Sequence, residues 1–268
     1  MHLSGPLVAL HLLTGPLVAA LHVVPRHFNV HADPAQPLSV EELLLEVAPL
    51  WAERAGKFVC SELSGGLTNV VIRARPQRSD CESLLVRIFG DNTDRILDRE
   101  KELITLQSLA SHNFSTHVGI IGTFNNGRVE RYAPGRVLGI EELRNPAMAS
   151  RCARSLARLH RVNVAGHDRH QPSLWRMLDR WLDLAMAGDV SLPFGLDEPT
   201  VRTAIVELHE RIDAAHAAGS QTPIVFAHND ASALNLVYDD ASQRVRLIDF
   251  EYSRYNYRGF DLANHLIE

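Results

Sequence analysis

VFAHNDASALNLVYDD (225–240) and VRLIDFE (245–251) set Asp230 five residues ahead of Asn235 and nineteen ahead of Asp249. The runs 234–238 and 244–248 are short and apolar, and the polar stretch 239–243 between them has the composition of a turn, which is the pattern of a β-hairpin. A hairpin brings the start of its first strand beside the end of its second, so Asn235 and Asp249 become neighbours. Two oxygen-bearing side chains placed there can converge on Mg²⁺, and Asp230 falls where a substrate hydroxyl is oriented and deprotonated. Taken singly, Asp239 and Asp240 read as turn residues, and Asp249 and Glu251 as caps of the next element. The ordered set predicts a phosphoryl-transfer site.

Upstream, Ser39 followed by Glu41, Glu42 and a leucine-rich run to Trp51 predicts a capped amphipathic helix. Residues 58–63 and 70–74 have strand character, with Ser64, Gly65, Gly66, Leu67, Thr68 and Asn69 between them. Paired glycines let backbone N–H groups approach phosphate oxygens, and Ser64, Thr68 and Asn69 can add hydroxyl and amide contacts, although Gly-Gly between strands is also a common plain turn. Residues 83–90 predict a third strand, in which Arg87 is the single cation. A helix is expected over 94–103, continuing through Leu106 and Leu109. Strands at 118–124 and 128–132 flank the Asn125-Asn126-Gly127 turn. After Ala133-Pro134-Gly135, helical spacing dominates 148–162, 173–187 and 198–218. The expectation is an α+β chain with an antiparallel-sheet N-lobe over 26–134 and a mainly helical C-lobe over 135–268.

With 268 residues, 46% of them hydrophobic, the chain is long enough to bury a substantial core. A net charge of −5 without any lysine or arginine run points away from nucleic acid and anionic membrane surfaces as partners. Cys60, Cys81 and Cys152 are widely spaced and odd in number, which fits reduced thiols in a cytosolic setting. Residues 1–25 contain an imperfect repeat, SGPLVALH and TGPLVAALH, that is apolar yet carries prolines, glycines and histidines. It lacks the positive flank of a secretory signal, so a poorly ordered extension is expected there, with no stable membrane insertion.

HND with Asn235 following, then IDFEYSRYNYRGFDLANHLIE (248–268), resembles the choline/ethanolamine kinase family. The resemblance extends through LSGGLTNVVIRA, LLVRIFG, DREKE and TFNNGRVERYAPGR, and so covers roughly residues 27–268. It implies a two-lobed protein-kinase-like fold and transfer of a phosphoryl group from ATP, with Mg²⁺, to the hydroxyl of an amino alcohol, the first step of phosphatidylethanolamine or phosphatidylcholine synthesis. On that pattern Arg87 holds nucleotide phosphates and pairs with Glu102, for which Glu100 is the competitor in the residues themselves. The backbone at Arg131 and Ala133 meets the adenine edge, Asp230 is the catalytic and substrate-orienting group, Asn235 and Asp249 hold the metal, and Glu268, closing the NHxxE string, lies in the amine pocket. His160 is expected to be structural, and His228 and Asn229 to shape the catalytic loop. TFNNG and LRNPA resemble ethanolamine kinases and RVLGIEEL resembles choline kinases; ethanolamine is the favoured acceptor. Family members continue past the residue that matches Glu268, so the C-lobe is expected to be incomplete, and a second copy of the chain is a candidate partner. The other readings are a catalytically silent relative and an aminoglycoside-type phosphotransferase, against which YNYRGFD argues.

Overall fold

The structure, a computed structural model, describes residues 25–33, 37–63, 69–114, 118–188, 192–219 and 222–267. The N-terminal repeat, five residues of the glycine loop expectation (Ser64, Gly65, Gly66, Leu67 and Thr68) and Glu268 lie outside them. Among the described residues no helix is long and apolar enough to cross a membrane.

The first half is built on a six-stranded sheet. In chain order its elements are β1 (His27–Phe28), α1 (Pro37–Val47), α2 (Pro49–Ala55), β2 (Phe58–Leu63), β3 (Asn69–Pro76), β4 (Leu84–Phe89), α3 (Arg99–Ser111), β5 (Ile120–Phe124) and β6 (Gly127–Arg131). The strands lie in the order β1-β5-β6-β4-β3-β2, antiparallel except where β1 runs parallel to β5. Strand β4 is central, which explains its nearly continuous apolar run. Its alternate residues Leu84, Val86 and Ile88 enter a core with Val40, Leu43, Leu44, Ile72, Phe124 and Val129. Arg87 therefore projects from the opposite face, because successive strand residues point to opposite sides.

Two helix starts in this half differ from the sequence reading. The single helix expected from Ser39 starts at Pro37 and is broken into α1 and α2 at Ala48, whose φ of −129° and ψ of 53° leave the helical region. Pro49 accounts for the break, since its ring disfavours helical geometry in the residue before it. The helix expected from Asp94 begins at Arg99, where Asp98 caps it by accepting from the Lys101 N–H at 3.0 Å; Thr93–Arg95 forms a separate 3₁₀ turn.

Chain direction changes after β6. The segment β7 (Arg136–Val137) pairs with residues 237 and 238 in a second, three-stranded sheet. Gly135 makes this crossing with φ +136°, and a Cβ there would stand 2.5 Å from the Tyr238 carbonyl oxygen. The remaining elements are α4 (Ile140–Leu143), α5 (Pro146–Leu159), α6 (Leu174–Ala187), α7 (Glu198–Ala217), β8 (Ile224–Ala227), β9 (Leu236–Asp239), β10 (Arg244–Leu247), β11 (Arg254–Tyr257) and α8 (Arg258–Ile267). Leu156 and Leu159 of α5 pack with Leu106 and Leu109 of α3 and with Phe226, Leu236, Leu247 and Phe250, so the second core sits directly beneath the loops that leave β8 and β10.

Candidate active site

Residues 228–235 leave β8 as an irregular loop, and irregular backbone inside a protein needs its polar groups satisfied one by one. Helix α8 does most of this. The fully buried Asp261 carboxylate accepts the backbone N–H groups of His228 (3.1 Å) and Asn229 (2.8 Å), and His160 Nε2 donates to it at 2.7 Å. Burial alone would raise this carboxyl; the hydrogen bonds from His160, Asn229 and His228 outweigh burial and hold it below the usual carboxylate range. Asn264 Oδ1 accepts from Ala231 N, and His265 Nδ1 donates to Ala231 O, both at 2.8 Å. Asn229 adopts φ +64°, a left-handed conformation that asparagine tolerates, while its side chain bridges the Tyr252 carbonyl and Asn256. His228 is wholly buried, donates Nε2 to the Ile248 carbonyl at 2.9 Å and packs on Phe250.

These ties leave Asp230 half-buried at the edge of a cavity of about 830 Å³, a size suited to a small-molecule ligand. Asn235 Nδ2 donates at 2.8 Å both to Asp230 Oδ2 and to the Asp230 carbonyl. The β9–β10 register pairs Leu236 with Leu247, and the Ile248 N–H donates to the Asn235 carbonyl at 3.1 Å. Asp249 consequently follows directly beside Asn235 and lines the same cavity as Asp230. The first strand of the hairpin begins at Leu236 and not at Leu234, because Asn235 itself closes a short 3₁₀ turn (Ala233–Asn235).

The opposite wall is a network of buried charges. Arg87 and Arg128 are cross-strand partners on β4 and β6, and Glu130 lies two residues along from Arg128 on the same face. Arg87 donates to Glu130 at 3.2 Å and to Asp249 at 3.3 Å; Arg128 donates to Glu102 at 2.7 Å and to Glu130 at 2.9 Å; Arg99 reaches Glu102 at 3.0 Å and Glu251 at 3.3 Å. The expected direct Arg87–Glu102 pair is thus replaced. Arg128 stands on the neighbouring strand between them and takes the Glu102 carboxylate, and Glu130 couples the two arginines. Glu102, rather than its competitor Glu100, is the buried glutamate of α3. Asn69 also lines the cavity, with its amide held between Arg99 (2.9 Å) and Glu251 (3.2 Å). The motif reading did not find Arg99, Arg128, Glu130 or Glu251; the period-two spacing of Arg128 and Glu130 in RVER was the available signal.

Burial opposes charge on Glu102, but Arg128, with Arg87 and Arg99, holds its carboxyl at about 2, against an ordinary 4.5. A carboxyl depressed in the fold adds stability that is complete above its unfolded value and disappears as pH falls toward its folded value. Urea midpoints of the wild type should therefore fall between about pH 4.5 and 2. Glu102→Gln should start from a lower midpoint at pH 7, because Arg128 loses its charged acceptor, and should show a shallower decline across that window. Parallel curves for the two proteins would disprove the assignment.

Among the described residues, carboxylate oxygens of Glu102, Asp249 and Glu251 can lie within 4.8 Å of one another. Glu102 and Glu251 are already engaged by arginines. Asp249 and Asn235 supply hard oxygen donors without any histidine or cysteine, a set that fits Mg²⁺ and not a zinc-type ion.

Residues 60–268 match the family model for choline/ethanolamine kinase. The chain belongs to that family. It is 31% identical over 237 residues to a probable ethanolamine kinase of Arabidopsis thaliana, a match that covers 85% of this chain and 61% of that one. Among such curated relatives it spans from 55% to 67% of their length. In fold it is similar to the Plasmodium vivax ethanolamine kinase, with a TM-score of 0.74 and 23% identity over 88% of this chain and 68% of that one. A more distant likeness is to an aminoglycoside phosphotransferase solved with gentamicin, with a TM-score of 0.57 and 16% identity over 87% of this chain and 74% of that one. The fold of this choline/ethanolamine kinase family member is accordingly the two-lobed protein-kinase-like α+β fold that its motifs lead one to expect.

Proposed function

We propose that this chain transfers the γ-phosphoryl group of MgATP to the hydroxyl of an amino alcohol, with ethanolamine preferred to choline. The observation that carries the reading is the fixed relation of three groups on one cavity: Asn235 orients the Asp230 carboxylate, and the Ile248-to-Asn235 backbone bond sets Asp249 alongside. Asp230 orients the acceptor hydroxyl and takes its proton as the oxygen attacks. Asn235 and Asp249 would hold Mg²⁺, whose charge neutralises the transferring phosphoryl group. Arg87, buried and surrounded by Glu130, Asp249, Glu102 and Glu251, which outweigh burial and keep it firmly protonated, supplies fixed positive charge toward the phosphates. Ser64, Gly65, Gly66, Thr68 and Asn69 are assigned to the phosphate loop, and Glu268 to the amine. The Arg131 N–H is committed to the Gly119 carbonyl at 3.0 Å, so the adenine edge is assigned to the Arg131 carbonyl and the Ala133 N–H.

Family membership supports an amino-alcohol acceptor, and the TFNNG and LRNPA strings together with the ethanolamine kinases among the relatives support ethanolamine. Such a reaction opens the synthesis of the corresponding phospholipid. One observation favours a silent relative as the second reading: Arg87 lies on both oxygens of Asp249, at 3.3 and 3.4 Å, where a metal would have to compete. Purified chain with MgATP and each amine separates the two. Phosphoethanolamine should form with a higher kcat/KM than phosphocholine, and excess EDTA should stop both. Product no greater than with Asp230→Ala would discard the kinase reading, and a higher kcat/KM for choline would reverse the preference.

A further inference from the structure

A second cleft, of about 370 Å³, lies between the start of α3, the N-terminus of α6 and β11, and it meets the catalytic cavity at Trp181, Glu251 and Tyr252, which line both. Four cations and three carboxylates line it. Lys101, Arg176, Arg180 and Arg254 face it. The carboxylates nearby are already used: Asp98 caps α3 and pairs with Lys101 at 3.4 Å, Asp168 accepts from His170 N at 2.9 Å, and Glu251 pairs with Arg99. Among the described residues no carboxylate stands within ion-pair distance of Arg176, Arg180 or Arg254. Among the described residues, Arg180 and Arg254 donate only to backbone carbonyls, those of Arg95 (2.6 Å) and Ser253 (2.7 Å). Burial, with Arg180 nearby, lowers Arg254 below its ordinary value by more than Asp98 and Glu102 raise it.

A second observation independently points to a ligand. Ser173 is 7% exposed, lines this cleft, and its Oγ has no hydrogen-bond partner, although it stands at the N-terminus of α6 where a serine hydroxyl ordinarily caps the helix. A buried hydroxyl donor, the positive end of a fourteen-residue helix and three guanidiniums without carboxylates together form a receptor for a tetrahedral oxyanion.

We propose that this cleft binds phosphate or a phosphomonoester. The binding does not depend on the kinase reading. Its consequence does: the cleft adjoins the site in which a phosphomonoester would be made, so occupancy there would let the enzyme sense its own product.

The test is calorimetric titration of the full chain with inorganic phosphate and, separately, with O-phosphoethanolamine. Saturable binding is expected to survive both Asp230→Ala and a saturating non-hydrolysable ATP analogue, and to weaken at least about tenfold in Arg176→Ala and in Ser173→Ala, the loss of one charge-assisted contact. The Arg176 side chain is exposed and makes no hydrogen bond or ion pair among the described residues, so its variant separates binding from folding. Tighter binding of O-phosphoethanolamine would place its ammonium against the Trp181 and Tyr252 rings, which lie 6.0 Å apart, and equal affinities would assign a simple phosphate site; both uphold the proposal. Absence of saturable binding, its loss when the analogue fills the catalytic cavity, or indifference to both variants would overturn it. Failure of the kinase reading would show as missing turnover and would leave these affinities untouched.

Discussion

Asp230→Ala is expected to lower kcat for amine phosphorylation by roughly 10²–10⁴-fold, the range for loss of a positioned general base, while leaving the chain folded. The two parts of this expectation rest on different contacts. Asn235 Nδ2 holds the Asp230 side chain and, separately, the Asp230 carbonyl, so alanine removes the carboxylate and keeps the bond that fixes the loop. Asp230 is half-buried and its replacement opens no core cavity. Thermal midpoint and nucleotide affinity should therefore stay close to wild type while turnover collapses. A kcat within about threefold of wild type, with intact folding, would remove Asp230 from the chemistry.

Asp261→Ala should act through stability. Its carboxylate is wholly buried, receives two backbone N–H groups and His160, and leaves all three without an acceptor when truncated. Removing one partner of such a buried charged arrangement costs about 3–5 kcal/mol. At roughly 2–4 °C per kcal/mol for a chain of this size, the thermal midpoint should fall by about 10 °C, and turnover should fall with it as residues 228 and 229 lose their fixed positions. Asp261→Asn is the sharper probe, because its amide must turn one donor toward a backbone N–H; it should also destabilise. A shift under about 1 kcal/mol in urea unfolding would mean that the loop is held by other contacts.

The relation of Asp230, Asn235 and Asp249 was legible in the sequence because a hairpin converts a spacing along the chain into adjacency, and the apolar runs of β9 and β10 announce that hairpin. The fold class was legible from the switch between strand-like and helical periodicity near Gly135. The partner of Arg87 was not. Which residue faces it depends on strand order, and β4 pairs with β6 only after α3 and β5 have intervened, so Arg128 enters the pair from a distance that local pattern does not reach. The break at Ala48 was written in Pro49 and outvoted by the leucine pattern on either side. Asp98 as the true cap of α3 was hidden by Asp94, an equally good capping residue four positions earlier that the 3₁₀ turn takes out of play. Asp261 sat inside the GFD string that marks the family, but its task depends on backbone N–H groups more than thirty residues away, and backbone donors leave no trace in a sequence.

Because Asp261, Asn264 and His265 hold positions 228, 229 and 231, the loop that carries Asp230 hangs from a helix that emerges from the ribosome after it. During synthesis the strands on either side can pair while the loop has nothing to close upon. A nascent chain that has exposed Asp230, Asn235 and Asp249, but not yet α8, therefore carries these three groups without the contacts that fix their loop, and those contacts become available within the translation of about ten codons.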